Sequence, residues 1–403
     1  MIYKSLFIIC FIYILNIYKN LEKYSIGSDA KGFDLRFLNT PKKYETMIIE
    51  IKLNEVCDLE VIEKKIDEIM NKNKKDPKKI EHLLLNFSKK SKYELLPYSS
   101  LDKFFFVTKK NMSCVNKARH FNIFSSRSPL NLQLALNKEE KTIYGYGYHG
   151  IHDGLKILDI TKKLGFLETE KVDIKYPKFR YVPFFSEYLM GKSIFKMIKL
   201  KKASIIKREN NRTFNPDIIN FTFDLNKFDK IEGYSINTKL IGIILYSLMD
   251  SNKYNSLNVS ISYGVDAIES QRNQTSVMIV NIKYNNDLST FIKNMYLEIK
   301  RNAFQVLGLY FSSTFRFLNN MNYLKKINKE KVDISISSLP ITKSDIKFLG
   351  IDSKLKIWNP YHMAPIYSLN YISNNLVNGY VSIKSKDHTF RENIISSKLL
   401  NIL

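Results

Sequence analysis

The stretch from Leu130 to Leu164 constrains the fold of this chain more than any other, because its apolar pattern changes period there. Leu130 to Leu136 alternates, Asn137 to Lys141 is a polar turn, and Thr142 to His149 alternates again, which predicts a β-hairpin. Gly154 to Leu164 then follows a helical period, with Leu155, Leu158 and Leu164 on the inward side. At the joint stands Tyr148-His149-Gly150-Ile151-His152-Asp153-Gly154. A segment where a strand ends and a helix begins presents its side chains to a cleft.

The residues at that joint suit proton transfer. An imidazole with an ordinary pKa of about 6.5 can remove a proton from a hydroxyl near neutral pH. That makes His149 the candidate base. Asp153, four positions on, can hold the local backbone or pair with a cation and so fix the ring. Gly154 has no Cβ, which lets the chain turn tightly and a substrate approach the backbone. His152 reads as incidental, and His362 and His388 have no motif around them.

The rest of the chain reads as a mixed α/β protein in two lobes. Thr46 to Leu53 is a strand, Asp58 caps a helix whose Leu59, Ile62, Ile66, Ile69 and Met70 share a face, and Leu101 to Val107 is a short strand. Beyond residue 213, strands are expected at Asn220 to Asp224, Leu257 to Tyr263, Ser276 to Ile282 and Val332 to Leu339. Helices are expected at Ile236 to Met249 and Leu288 to Arg301. Tyr367 to Ile372 and Gly379 to Lys384 flank Ser373 to Asn378 as a late hairpin. The expected division is an N-terminal lobe over 30–188, a basic interlobe linker over 189–213 and a C-terminal lobe over 214–403. Between Met190 and Thr213 eight Lys and Arg residues meet one acid, Glu209, with Phe195, Ile198, Ile205 and Ile206 among them. Such a segment is a solvated linker or a basic amphipathic stretch resting on a membrane.

Composition removes several function classes. The formal charge is +24, carried by 53 Lys against 10 Arg in a chain also rich in Asn, Ile, Tyr and Phe. Nucleic-acid readers lean on the planar fork of Arg, so no nucleic-acid partner is expected. Diffuse Lys charge still suits an anionic membrane surface. Of the three cysteines, Cys10, Cys57 and Cys114, only Cys57 and Cys114 could bridge within the body, and no metal-ligand spacing occurs. Ile2 to Tyr18 is largely apolar and, as a helix, would span roughly 25 Å. Residues 1–23 therefore read as a signal peptide or membrane anchor, which places the chain in the secretory pathway or on the endoplasmic reticulum membrane.

Tyr148 to Gly154 resembles the His-His-x-x-x-Asp-Gly motif of the superfamily with the chloramphenicol-acetyltransferase-like fold. That group includes peptide-synthetase condensation domains and the wax ester synthase/diacylglycerol acyltransferases. Phe33-Asp34-Leu35-Arg36-Phe37-Leu38, followed by the strand containing Met47, looks like the opening of the wax ester synthase branch. Ser128-Pro129-Leu130 is similar to its Pro-Leu-Trp, with Asn131 for the Trp. Ser235-Ile236-Asn237-Thr238 is similar to its Val-Asn-Asp, and Ser335-Ile336-Ser337-Ser338-Leu339-Pro340 to its Ser-Asn-Val-Pro. The resemblance implies two lobes, each a mixed sheet covered by helices, with a tunnel between them to which Asn237, Ser337 and Ser338 contribute.

It also implies an acyl-CoA-dependent O-acyltransferase, monomeric and membrane-associated. Its general base would be His149, supported by Tyr148, Asp153 and Gly154. Acyl-CoA would be the co-substrate and a lipophilic alcohol, such as a long-chain alcohol or diacylglycerol, the acceptor. No permanently bound cofactor and no metal is implied. Tyr148 replaces the first motif His, and that departure keeps two alternatives open: a lipid- or acyl-CoA-binding protein without turnover, and a small-alcohol acetyltransferase.

Overall fold

A computed structural model describes residues 26–27, 46–53, 58–87, 92–108, 130–148, 154–168, 183–200, 217–224, 233–264, 275–306, 331–339, 346–359, 364–373 and 375–384. Among these residues the chain forms two large sheets. The first runs in the order β4-β5-β6-β1-β13-β12-β7. Its strands are β1 (Thr46–Leu53), β4 (Phe105–Thr108), β5 (Leu132–Asn137), β6 (Thr142–Tyr148), β7 (Leu167–Glu168), β12 (Ile346–Phe348) and β13 (Ile351–Trp358). The second, in the order β10-β9-β11-β14-β15-β8, comprises β8 (Asp217–Asp224), β9 (Ser256–Gly264), β10 (Thr275–Lys283), β11 (Ile334–Leu339), β14 (Ile366–Ser373) and β15 (Leu376–Ile383). β2 (Leu85–Phe87) and β3 (Tyr93–Leu95) form a small ribbon. Both large sheets are mixed: β4 runs parallel to β5, and β11 runs parallel to β9 and β14.

The helices form where local caps meet a one-sided apolar stripe. The Asp58 carboxylate accepts from the Glu60 N–H at 2.9 Å to start α1 (Leu59–Lys74), whose Ile62, Ile66 and Met70 turn inward. Asp76 and Pro77 open α2 (Pro77–Leu84), Pro supplying the fixed φ of a first helical turn. In the second half, Ser235 caps α5 (Ile236–Asn252) and Asp287 caps α6 (Leu288–Asn302). These two helices cover the outer face of the second sheet, with Leu240, Ile244, Leu248, Phe291 and Met295 packed on Val259, Ile261, Ile334 and Ile336. Where β10 ends the sheet, the Gln305 amide takes the place of a missing strand. Its Oε1 accepts from the Ile279 N–H and its Nε2 donates to the Ile279 carbonyl, both at 3.0 Å.

Several expectations change on inspection. Leu101 does not begin a strand: Tyr98–Lys103 is a 3₁₀ turn after Pro97, and only Phe105–Thr108 is extended. The late hairpin turns tightly, since β14 and β15 leave only residues 374–375 between them and Asn375 takes a left-handed φ of 55°. Part of the segment read as a linker is the end of a helix, α4 (Pro183–Lys199), with Leu189, Met190, Ser193 and Met197 buried. Residues 201–213 lie outside the described residues, as do 1–25 and all three cysteines. Among the described residues no helix is long and apolar enough to cross a membrane.

The first sheet is not built from the N-terminal half alone. β13 pairs antiparallel with β1, aligning Trp358 with Ile48, and β12 pairs with β7. A boundary at 189–213 therefore does not separate the two sheets. They are joined through aromatic side chains: Trp358 packs on Tyr380 with centroids 5.0 Å apart, and the Tyr371 hydroxyl donates to the Leu355 carbonyl at 3.0 Å.

Candidate active site

β6 reads Tyr144-Gly145-Tyr146-Gly147-Tyr148, and strand alternation sends its two residue types to opposite faces. The glycines face α3 (Gly154–Lys163). A Cβ on Gly147 would come within 2.2 Å of Ile157 Cδ1, so the missing side chain lets the helix lie directly on the strand. That groove also sets the rotation of α3. Its inward residues are Ile157, Ile160 and Leu164, with Leu158 only partly buried, and the Leu155 side chain lies outside the described residues.

The tyrosines face the other way. Tyr146 lies opposite Ile48 on β1, which lies opposite Trp358 on β13, so these three share a face. Since Trp358 touches Tyr380 of β15, that face looks toward the second sheet. Burial pushes the Tyr146 phenol well above its ordinary pKa, with smaller contributions from Glu140 and Glu50, and Tyr371 on the facing sheet is raised chiefly by burial too. Both hydroxyls stay protonated across the physiological range, and that of Tyr371 donates to the Leu355 carbonyl.

The facing surface follows from register. Ser335, Ser337 and Leu339 on β11 align with Tyr367, Leu369 and Tyr371 on β14, and these aromatic and aliphatic residues belong to the core shared with the first sheet. Ser337 is therefore turned toward the first sheet. Ser338 is turned to the helix-covered side, where Asn370 Nδ2 donates to its Oγ at 3.4 Å. Asn237 lies exposed in the first turn of α5. Because α5 runs back along β9 after a short connection, and β9 is parallel to β11, Asn237 sits at the same end of the sheet as Ser337 and Ser338. It lies in the helical layer rather than on the facing surface.

His149, His152 and Asp153 lie outside the described residues, and the motif is framed by its two described ends. Tyr148 is buried at the end of β6, its N–H donating to the Asn131 carbonyl at 2.8 Å. Asn131, standing where the resembling family has Trp, is itself fully buried and donates to the Leu85 carbonyl at 2.7 Å. At the far end, a Cβ on Gly154 would meet Met47 Cε at 2.8 Å and Leu339 Cδ1 at 2.9 Å. Gly154 is thus the point where a strand of the first sheet, the start of α3 and the end of β11 converge.

The sequence reading missed the aromatic wall. Tyr144, Tyr146, Trp358, Tyr367 and Tyr380 line the facing surfaces or join them, and the Tyr-Gly alternation of β6 was the signal for the first two. An open cavity of about 480 Å³ lies elsewhere, at the β5–β6 turn, lined by Glu50, Lys52, Leu53, Glu139, Glu140, Lys141, Thr142 and Tyr144. Its lining begins at Tyr144, about 13 Å along β6 from Tyr148, and extends away from the motif toward the turn. Among the described residues no group of three or more His, Cys, Asp or Glu could hold a metal ion.

The fold has solved counterparts. The chain is similar to a mutant starter condensation domain of rhizomide synthetase in complex with C8-CoA and Leu-SNAC, with a TM-score of 0.61 and 8% identity over 92% of this chain and 94% of that one. It is similar to the epimerization domain from the third module of tyrocidine synthetase B, with a TM-score of 0.60 and 11% identity over 94% and 97%. It is also similar to a structure described for condensation domain-mediated chain release from the enacyloxin polyketide synthase, with a TM-score of 0.56 and 9% identity over 94% and 84%. No protein-family profile matches the chain, and no curated protein matches it. At such identities the likeness establishes the architecture, which is the two-lobed chloramphenicol-acetyltransferase-like fold.

Proposed function

We propose that the chain is an acyl-CoA-dependent O-acyltransferase of the wax ester synthase type, with His149 as general base and a lipophilic alcohol as acceptor. The observation that carries this reading is the closeness of Gly154 to both Met47 and Leu339, which sets the residue that follows Asp153 where the first sheet meets the end of β11. Support from comparison is the rhizomide synthetase domain of the same fold, which was solved with an acyl-CoA.

In the proposed reaction His149 takes the proton of the acceptor hydroxyl as its oxygen attacks the thioester carbonyl carbon. The tetrahedral intermediate collapses by breaking the carbon–sulfur bond. The departing CoA thiolate recovers the proton from the imidazolium, leaving an ester and free CoA. The oxyanion needs a donor nearby. The two facing surfaces carry the Tyr146 phenol and the Ser337 hydroxyl, groups of the type that could serve. Asp153 would orient the segment, and Tyr148, buried at the strand end, would support it by packing.

The test is product analysis. The purified chain is incubated with acyl-CoAs of several lengths and a panel running from short alcohols to long-chain alcohols and diacylglycerol. Esters of the long-chain acceptors are expected. Esters of short alcohols alone would make the chain a small-alcohol acetyltransferase. Saturable acyl-CoA binding without any ester would assign it to binding, the reading that Tyr148 in place of the first motif His favours.

A further inference from the structure

We infer that the outer face of α4 is a docking surface for anionic membranes. The helix has two apolar stripes. One, Leu189, Met190 and Met197 together with Ser193, is buried against the body of the protein. The other is Tyr188, Phe195 and Ile198, which are 61%, 59% and 49% exposed although each is large and apolar. At 100° per residue Tyr188, Lys192, Phe195, Ile198 and Lys199 fall on one side of the helix, opposite the buried stripe.

The helix is fixed where it stands. Lys331 Nζ donates to the carbonyls of Met197, Ile198 and Leu200 at 3.1, 2.6 and 3.0 Å, filling its C-terminal acceptors. Lys196 pairs with Glu298 of α6 at 3.5 Å. The outward stripe is therefore not a second packing face that the helix could satisfy by turning.

Charge selects the partner. No acidic residue occurs between Tyr188 and Leu200, and Lys201 and Lys202 follow directly in sequence. Lys199 Nζ lies 4.1 Å from the centre of the Phe195 ring, and Lys192 Nζ lies 4.5 Å from that of Phe304. Each ammonium thus sits over an aromatic ring at the helix surface, which places cationic charge directly beside exposed apolar area, the combination a helix uses at a headgroup boundary. A second copy of the chain is a poorer fit, because the same face would oppose lysine to lysine. Phosphatidylserine-type headgroups over an acyl boundary satisfy both the charges and the rings.

The test uses the full chain carrying Phe195→Trp. The natural Trp358 is buried against Tyr380 and provides a constant background. Vesicles of phosphatidylcholine with phosphatidylserine should blue-shift the introduced indole, and brominated acyl chains should quench it. Phosphatidylcholine alone should do neither. Lys199→Gln should weaken the association by about fivefold, and added salt should weaken it further. The inference is overturned if the chain ignores phosphatidylserine vesicles, if it binds them with the indole emission unmoved, or if the shift occurs without lipid as protein concentration rises. None of these outcomes depends on the acyl-transfer chemistry.

Discussion

At the mouth of β11, Asp333 holds a carboxylate that is only 2% exposed. Its Oδ2 accepts from the Asn258 N–H at 2.8 Å, while Oδ1 has no partner among the described residues. Burial pushes its pKa up to about 6, against the opposing pull of that hydrogen bond. A carboxylate raised in the folded state binds its proton there between roughly pH 4 and 6, so it costs stability as pH rises through that window. Asp333→Asn should then be more stable than the parent at pH 7.5, by on the order of 3 kcal/mol, and the gain should vanish near pH 4. A urea denaturation series across pH checks this. His82 acts in the opposite direction. Burial, aided by Lys156 and Lys163 and opposed by Asp159, lowers its pKa to about 4. Folding excludes its proton, and stability falls as pH drops from about 6.5 toward 4. Neither shift was legible in the sequence, because both arise from burial by residues remote along the chain. The joint between Tyr148 and Gly154 was legible, because its strand-to-helix change is local.

Among elements, glycine positions separate what sequence reveals from what packing adds. Gly379 on β15 aligns with Phe221 on β8, and a Cβ there would come within 2.5 Å of both the Leu369 carbonyl oxygen and Phe221 Cζ. Backbone cannot give way as a side-chain tip can, so Gly379→Ala should destabilise by about 1–3 kcal/mol. Gly191, within α4, faces open space. Gly191→Ala should be neutral or stabilising by up to about 1 kcal/mol. Paired melting curves of the two variants test both statements. Local signals were readable where they occur: β1 to both of its ends, and α1 at its Asp58 cap and inward face. β13 alternates too, with Ser353, Leu355 and Ile357 inward, yet nothing in that alternation identifies β1 as its partner. The Trp358 indole donates to Glu50 Oε2 at 3.1 Å across 308 positions of sequence, a pairing that no local pattern announces. The direction of Ser338 was likewise hidden, since it depends on the register with β14.

For the whole molecule, the return of β12 and β13 to the first sheet fuses the two halves. A single unfolding transition is expected, with Trp358 emission and far-UV circular dichroism changing together; separate transitions would mean that the sheets unfold independently. Within that junction the Tyr380 hydroxyl accepts from the buried Asn359 N–H. Tyr380→Phe should cost about 1–3 kcal/mol by leaving that donor unpaired. The same junction holds two phenol-bearing faces in apposition beside the motif, and the central claim is that a base at residue 149 works there. The most direct measurement is acceptor-dependent release of CoA thiol from acyl-CoA, comparing the parent chain with His149→Ala of matched melting temperature. Release should require the alcohol and fall by roughly 10²–10⁴-fold in the variant. Undiminished release in His149→Ala would mean that residue 149 is not the base.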